Sequence, residues 1–325
     1  MNQERFIRAR EEDWQKMAHL LDAPKKASGE ERHDADFPRL FRAISHDLAL
    51  ARSRMYSQQL IERLNQLVTR AHQRLYRTGN TPLQNIGHYV TGGFARNVRA
   101  QWRYVLASAA IFYLPMITMM VLVIYQPNSV YTILDGETVR QVESMYDPGD
   151  PDSVGRGMDR KSDTDLMMLG FYIKNNTGIG FRTFAGGLLA GIGTLFFLLF
   201  NGFYLGAVAG HLTQIGYIET FWGFVAGHSA LELNAIVLSG ACGLMLGHAI
   251  IAPGRRSRRR ALMEEAGKAM GLIYGTAGMF LLAAMVEAFW SPSAVMPPES
   301  KYVVGILLWC LLLVYFLMAG RTRAA

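Results

Sequence analysis

Residues 104–125, YVLASAAIFYLPMITMMVLVIY, run the length of a membrane crossing without one charged side chain. About 20 apolar residues in a helix span the hydrocarbon core of a bilayer. Four more apolar runs follow: AGGLLAGIGTLFFLLF from 185, NAIVLSGACGLMLGHAII from 234, MGLIYGTAGMFLLAAMV from 270 and VVGILLWCLLLVYFLMAG from 303. One such run followed by four others excludes an ordinary soluble domain. The pattern predicts an all-α, polytopic integral membrane helical bundle with the lipid bilayer as its first partner.

The residues ahead of 104 are polar and basic instead. Residues 1–22 place Phe6, Trp14, Met17 and Leu21 near one face, the period of an amphipathic helix. After a polar linker at 23–36, the stretch 37–77 steps Ile44, Leu48, Ala51, Met55 and then Leu60, Leu64, Leu67, Ala71, Leu75 by threes and fours. That shift of register predicts a helical hairpin packed by its apolar stripe. RTGNTP (77–82) ends it, and 84–103 mixes Phe94, Val98 and Trp102 with Arg96, Arg99 and Arg103, which suits a helix at the headgroups. Residues 1–103 are therefore expected to be a basic, cytosolic helical domain including an interfacial helix, and 104–325 the transmembrane domain. MNQERFIRAREEDW lacks an apolar signal core, so no cleavable signal is expected.

Charge sets the expected orientation. The net charge of +7 concentrates before 104, in GRRSRRR (254–260) and in the terminal RTRAA. Lys and Arg mark cytoplasmic segments, so topology explains the charge and no nucleic-acid partner is expected. The segment 126–165 carries nine acids against four bases, and the loop 126–170 is read as extracytoplasmic. An even number of crossings must then separate 103 from 254. Six crossings satisfy this, at about 104–125, 182–200, 203–222, 228–251, 269–290 and 302–319, with both termini cytoplasmic and the protein in the cytoplasmic (inner) membrane. Asn201-Gly202 falls at the inner turn between the second and third of these, where its residue types suit turn chemistry. The weak third crossing, with Gly206, Gly210, His211, Gln214 and Gly216, is drawn mainly for parity. Glycines at spacings near four predict close helix packing and make a homo-oligomer plausible.

Polar groups inside such helices carry the functional question. In FVAGHSALELNAI (224–236), His228 and Glu232 lie at i and i+4 and share a helix face, Glu232 about 6 Å deeper. On the expected threading, Asn175, Asn176, His228, Glu232 and Glu287 come to one outer level and line one pocket. Three uses stay open. The set can be a hydrogen-bond network pinning helices together. It can be a conduction or transport site, as intramembrane ionisable residues often are. It can hold a divalent metal through His228 and Glu232 and serve a hydrolase, although a catalytic zinc needs about three protein ligands and no HExxH is present. No cofactor is otherwise expected. His211 and His248 read as packed or interfacial histidines. Cys242 and Cys310 both fall in apolar runs and report packing rather than a disulfide. FAGGLLAGIGT lacks the lysine of a P-loop, and no serine elbow is seen.

With these residues in view, the chain resembles the stage II sporulation protein M superfamily in its long form. The resemblance rests on DLALARSRMYSQQLIERLNQLVTRAHQRLY (47–76), GFYIKNNTGIGFRTFAGGLLAGIGTLFFLLFNGFYLGAVAGHL (170–212), GHSALELNAIVLSGACGLMLGHAIIAPGRRSRRRAL (227–262) and AAMVEAFWS (283–291). The family pattern matches at Asn175, Asn176, Asn201, Gly202, His228, Glu232 and Glu287. The resemblance implies a membrane anchor for peptidoglycan-degrading enzymes, a scaffold more than an enzyme. Long-form relatives often accompany a MoxR-type AAA+ ATPase, a von Willebrand factor A-type protein and an RDD-family membrane protein. It thereby implies envelope enzymes or MoxR-type ATPase system proteins as partners. The long N-terminal domain departs from the sporulation member and invites cytosolic partners.

Overall fold

A computed structural model describes residues 2–22, 36–75, 82–150, 162–293 and 295–321; among them every regular element is helical. The linker at 23–35, most of RTGNTP, the acidic stretch 151–161 and the last four residues lie outside the described residues. The chain divides into two compact units, Met1–Pro82 and Leu83–Ala325.

The first unit is three helices, α1 (Gln3–Asp22), α2 (Phe37–Ser53) and α3 (Gln58–Leu75). The amphipathic faces meet in one core of Phe6, Trp14, Met17, Leu40, Ile44, Leu48, Leu64 and Leu67. Asp47 is fully buried within it; Trp14 Nε1 donates to its Oδ2 at 3.0 Å and Arg10 Nε lies 3.4 Å from its Oδ1. A buried carboxylate is tolerable when charge and hydrogen bonds compensate it. Met55 leaves the expected stripe: it stands in the α2–α3 turn with φ of 51° and is 88% exposed. The helix ends there because the stripe changes register. Leu21 is partly buried, and the side chain of Leu75 is not described.

The second unit opens with α4 (Pro82–His88), a π turn at Tyr89–Gly93 and α5 (Phe94–Ala100). Phe94 and Val98 are buried rather than turned to headgroups, whereas Trp102 is exposed. Arg99 donates to the carbonyls of Phe316 and Ala319 at 2.6 and 2.7 Å, supplying charge to a helix C-terminus. The segment is thus docked into the bundle.

The bundle has α6 (Trp102–Tyr125), α7 (Gly136–Tyr146), α8 (Ser162–Ala185), α9 (Ile192–Gln214), α10 (Ile218–Ile251), α11 (Arg258–Met285, continued by a π turn Val286–Trp290) and α12 (Pro298–Met318). α6, α9, α10, α11 through Trp290, and α12 are long and apolar enough to cross a membrane. α8 is a sixth long helix of lower hydropathy, packed against α9, α10 and α11. α10 is central and α12 is largely exposed.

Two expected crossings are redrawn. The turn after the first long loop lies at 186–191, where Ala190 and Gly191 take φ of 52° and 85°, a region that favours glycine. α9 then runs unbroken through Asn201 and Gly202, replacing the crossings drawn at 182–200 and 203–222. Asn201 Nδ2 donates back to Phe197 O within the helix. Gly202, Gly206 and Gly210 lie against the α6 backbone; a Cβ at Gly210 would fall 2.6 Å from Met120 O. Gly187 and Gly191 likewise meet Gly243 and Gly247 of α10. These glycine rows are used inside the chain. They do not by themselves offer a self-association face.

Candidate functional site

Continuity of α10 moves the reference point for His228. The helix starts at Ile218, ten residues before His228, so His228 lies about 15 Å and Glu232 about 21 Å along it. The expectation that His228 marks the end of its helix is therefore corrected. On α11 the level differs: Glu287 lies in the terminal π turn, three residues before Trp290. The first turns of α10 run beside the start of α12, where Gly223 faces Pro298. Gly227 permits the approach, since a Cβ there would strike the Trp290 ring.

The crossing brings His228, Glu232 and Glu287 together, with one ligand-type atom from each inside a mutual spacing of 4.8 Å. His228 Nε2 stands 3.8 Å from Glu232 Oε2. His228 Nδ1 is 3.1 Å from Ser291 Oγ. Asn176 Nδ2 donates to Glu287 Oε2 at 3.1 Å, and Asn175 Nδ2 donates to Asn176 Oδ1 at 3.0 Å. Lys301 Nζ donates to the Ser291 carbonyl at 2.7 Å, placing a buried positive charge beside the group. His228, Asn176, Glu287, Ser291 and Lys301 are buried, and Glu232 is mostly so. Asn175 sits on the exposed side of α8 and reaches the cluster only through Asn176. Asn201 and Gly202 belong to the α9–α6 contact described above. Asn234 is satisfied within α10, donating to Ala230 O at 2.8 Å.

A cover lies over the cluster. α7 starts with Asp135 capping Thr138 N at 2.7 Å and buries Val139, Val142 and Tyr146. Tyr146 packs on Phe221 and Phe224, with centroids 5.2 and 6.0 Å away, and Phe224 packs on His228 at 5.3 Å. Burial foremost, then the nearby Glu287, Tyr172 and Glu232, push the Tyr146 phenol above its ordinary range. His211 is paired with Glu143 of α7 at 2.7 Å, a tie that pins α7 to α9.

Sequence reading missed Ser291, Lys301, Tyr146 and Phe224. The first two stand in what reads as a plain turn, SPSAVMPPES, and the start of the next crossing. The signal available was a serine and a lysine flanking two apolar helices. A separate groove of about 870 Å³ opens among Tyr89, Phe94, Leu231, Tyr274, Met279 and Tyr315. Its lining is mainly apolar and comes from α4, α5, α10, α11 and α12 and the π turn between α4 and α5.

Fold and site together define a polytopic membrane protein with a buried polar cluster at a helix crossing. The model of the family described as Stage II sporulation protein M matches residues 94–292, most of the chain and every residue of the cluster except the neighbouring Lys301. The chain belongs to that family. Residues 4–77 match a family described as Domain of unknown function (DUF8413), coincident with the three-helix unit. No curated protein and no solved structure matches the chain.

Proposed function

We propose that the chain is a scaffold of the cytoplasmic membrane that anchors or organises cell-envelope complexes, with both termini in the cytosol. The observation that supports this best is the separate unit Met1–Pro82. Among its described residues, the large apolar side chains other than the exposed Met55 pack in or against its own core, and it carries exposed basic residues, Arg5 and Arg8 of α1 among them. Such a surface suits a protein partner, because exposed charge steers association. Peptidoglycan-remodelling enzymes or components of a MoxR-type ATPase system are the partners the family resemblance favours. Self-association in the membrane plane remains part of this reading, through surfaces other than the glycine rows.

The test is affinity co-purification of the full chain from membranes. Arg5→Glu with Arg8→Glu should strip partners, while Glu232→Gln should retain them. The reverse pattern would refute the reading. A channel or transporter is the second reading, favoured by three ionisable side chains converging inside a membrane bundle. It requires solute- or ion-dependent flux in proteoliposomes that Glu232→Gln abolishes; no flux across a broad panel would exclude it.

A further inference from the structure

The cluster is incomplete as a hydrogen-bond network. Among the described residues, Glu232 has the 3.8 Å approach of His228 Nε2 and no hydrogen bond. Neither tautomer of His228 bridges that gap, because 3.8 Å is beyond hydrogen-bond length. If Nδ1 holds the proton, it donates to Ser291 Oγ, and a bare Nε2 lone pair faces a carboxylate oxygen. If Ser291 donates instead, the Nε2 proton has no acceptor in range. Glu287 stands in the same space, with Asn176 as its donor. Two carboxylates and an imidazole nitrogen thus converge, largely buried, on one small volume.

We propose that His228, Glu232 and Glu287 bind one divalent transition-metal ion, with zinc as the probe. The donor set is one imidazole nitrogen and two carboxylate oxygens, a combination that suits borderline ions such as zinc, manganese or ferrous iron. Bonds of about 2.0–2.2 Å put ligand atoms of a tetrahedral site roughly 3.4 Å apart. The 3.8 Å between His228 Nε2 and Glu232 Oε2 is already near that, and the widest spacing of 4.8 Å closes by small side-chain rotations. Charge agrees as well: a divalent ion offsets two carboxylates that would otherwise repel each other in a largely buried site.

The surroundings match what ligands of a metal require. Metal-bound histidines hand their other ring nitrogen to a hydrogen-bond partner, which fixes tautomer and ring orientation. Ser291 stands at that position, its backbone held by Lys301 Nζ on its carbonyl and by its own N–H on Val286 O at 2.8 Å. Asn176 orients Glu287 in the same manner. Three protein ligands leave a fourth position free. This inference does not depend on the scaffold reading, since a bound ion can pin α10 to α11 whether or not partners dock elsewhere.

The experiment uses the full chain purified in detergent, stripped with chelator and reloaded with zinc, with metal content measured by mass spectrometry. Wild type should retain about one zinc per chain after desalting, and its thermal unfolding should shift upward on loading. His228→Ala and Glu287→Gln, checked for monodispersity, should lose the bound zinc; Glu264→Gln, at an exposed ion pair distant in sequence, should keep it. If a cluster variant fails to fold, wild type alone decides through stoichiometry and thermal shift. Absence of both in wild type, or undiminished zinc in folded cluster variants, overturns the proposal. Retention of zinc by all variants alike would mark an adventitious ion.

Discussion

Trp14→Phe in the three-helix unit is a demanding test of how that unit is held. Trp14 is fully buried and packs edge-on to Phe6 with centroids 5.7 Å apart. Its Nε1 is one of two groups serving the fully buried Asp47, the other being Arg10 at 3.4 Å. Phenylalanine keeps the aromatic contact in part but removes the donor. A hydrogen bond to a charged group is worth about 1.5–3 kcal/mol, and the lost ring volume adds on the order of 1 kcal/mol. The expected cost is therefore about 2.5–4 kcal/mol, most of what a unit of this size commands. Urea unfolding of residues 1–82, followed by far-ultraviolet circular dichroism, should show the midpoint fall by roughly 2 M or more. A cycle with Asp47→Ala should isolate a coupling of about 1.5–3 kcal/mol between the two side chains. A coupling below about 0.5 kcal/mol would show that the buried carboxylate does not depend on Trp14 and would refute the reasoning.

Three further outcomes follow from the geometry. Gly227→Ala should force α10 and the Trp290 ring apart and destabilise the bundle by about 1–3 kcal/mol, seen as a lower unfolding temperature in detergent; an unchanged temperature would contradict the close approach. Ser291→Ala should leave His228 without its orienting partner and weaken zinc binding roughly 10–100-fold in chelator competition, with the fold retained; unchanged affinity would show that Ser291 does not position the imidazole. Hydrogen bonding from Arg63, foremost, holds Glu11 below its ordinary 4.5. A lowered folded-state value contributes stability above the unfolded one and loses it as pH falls through and below 4.5. The urea midpoint of residues 1–82 should drop on acidification over that range, and Glu11→Gln should flatten part of the drop; an identical drop in the variant would remove Glu11 from the account.

Much of the fold is legible because lipid leaves a chain few options. Apolar runs of crossing length mark α6, α11 and α12 directly and α10 in large part, while α9 is read as parts of two crossings; the three- and four-residue steps of Ile44 through Ala71 mark the hairpin. What misleads is local turn chemistry. Asn201-Gly202 has the composition of a turn, yet it lies inside α9, since a helix packed backbone-to-backbone on α6 needs glycine there. The true turn, GGLLAG, is so apolar that it reads as the start of a crossing. In FWGFVAG, Phe221 and Trp222 fall at the end of the crossing expected at 203–222 and the rest between crossings, although the stretch forms early turns of α10 and gives Phe224 to the cover over His228. His228, Glu232 and Glu287 stand out in sequence as charge among apolar neighbours. Their meeting depends on a π turn at Val286–Trp290, which no periodicity announces. Ser291 and Lys301 stay hidden for the same reason, since their role is fixed by where that turn ends.

The proposed cytosolic docking surface depends on how the chain threads the membrane, and two cysteines report that most directly. In a background with Cys242 and Cys310 replaced by alanine, one cysteine is placed at Asp150 and another at Ser257. Each is then exposed to a membrane-impermeant thiol reagent in intact cells and in inverted vesicles. An even number of crossings from 126 to 254 would return the chain to the side it left. α9 and α10 are apolar enough to cross; with the less apolar α8 taken as a third crossing, position 150 should label only from outside and position 257 only from the cytosolic face. Labelling of both from one side would contradict the threading and, with it, the cytosolic placement of the three-helix unit.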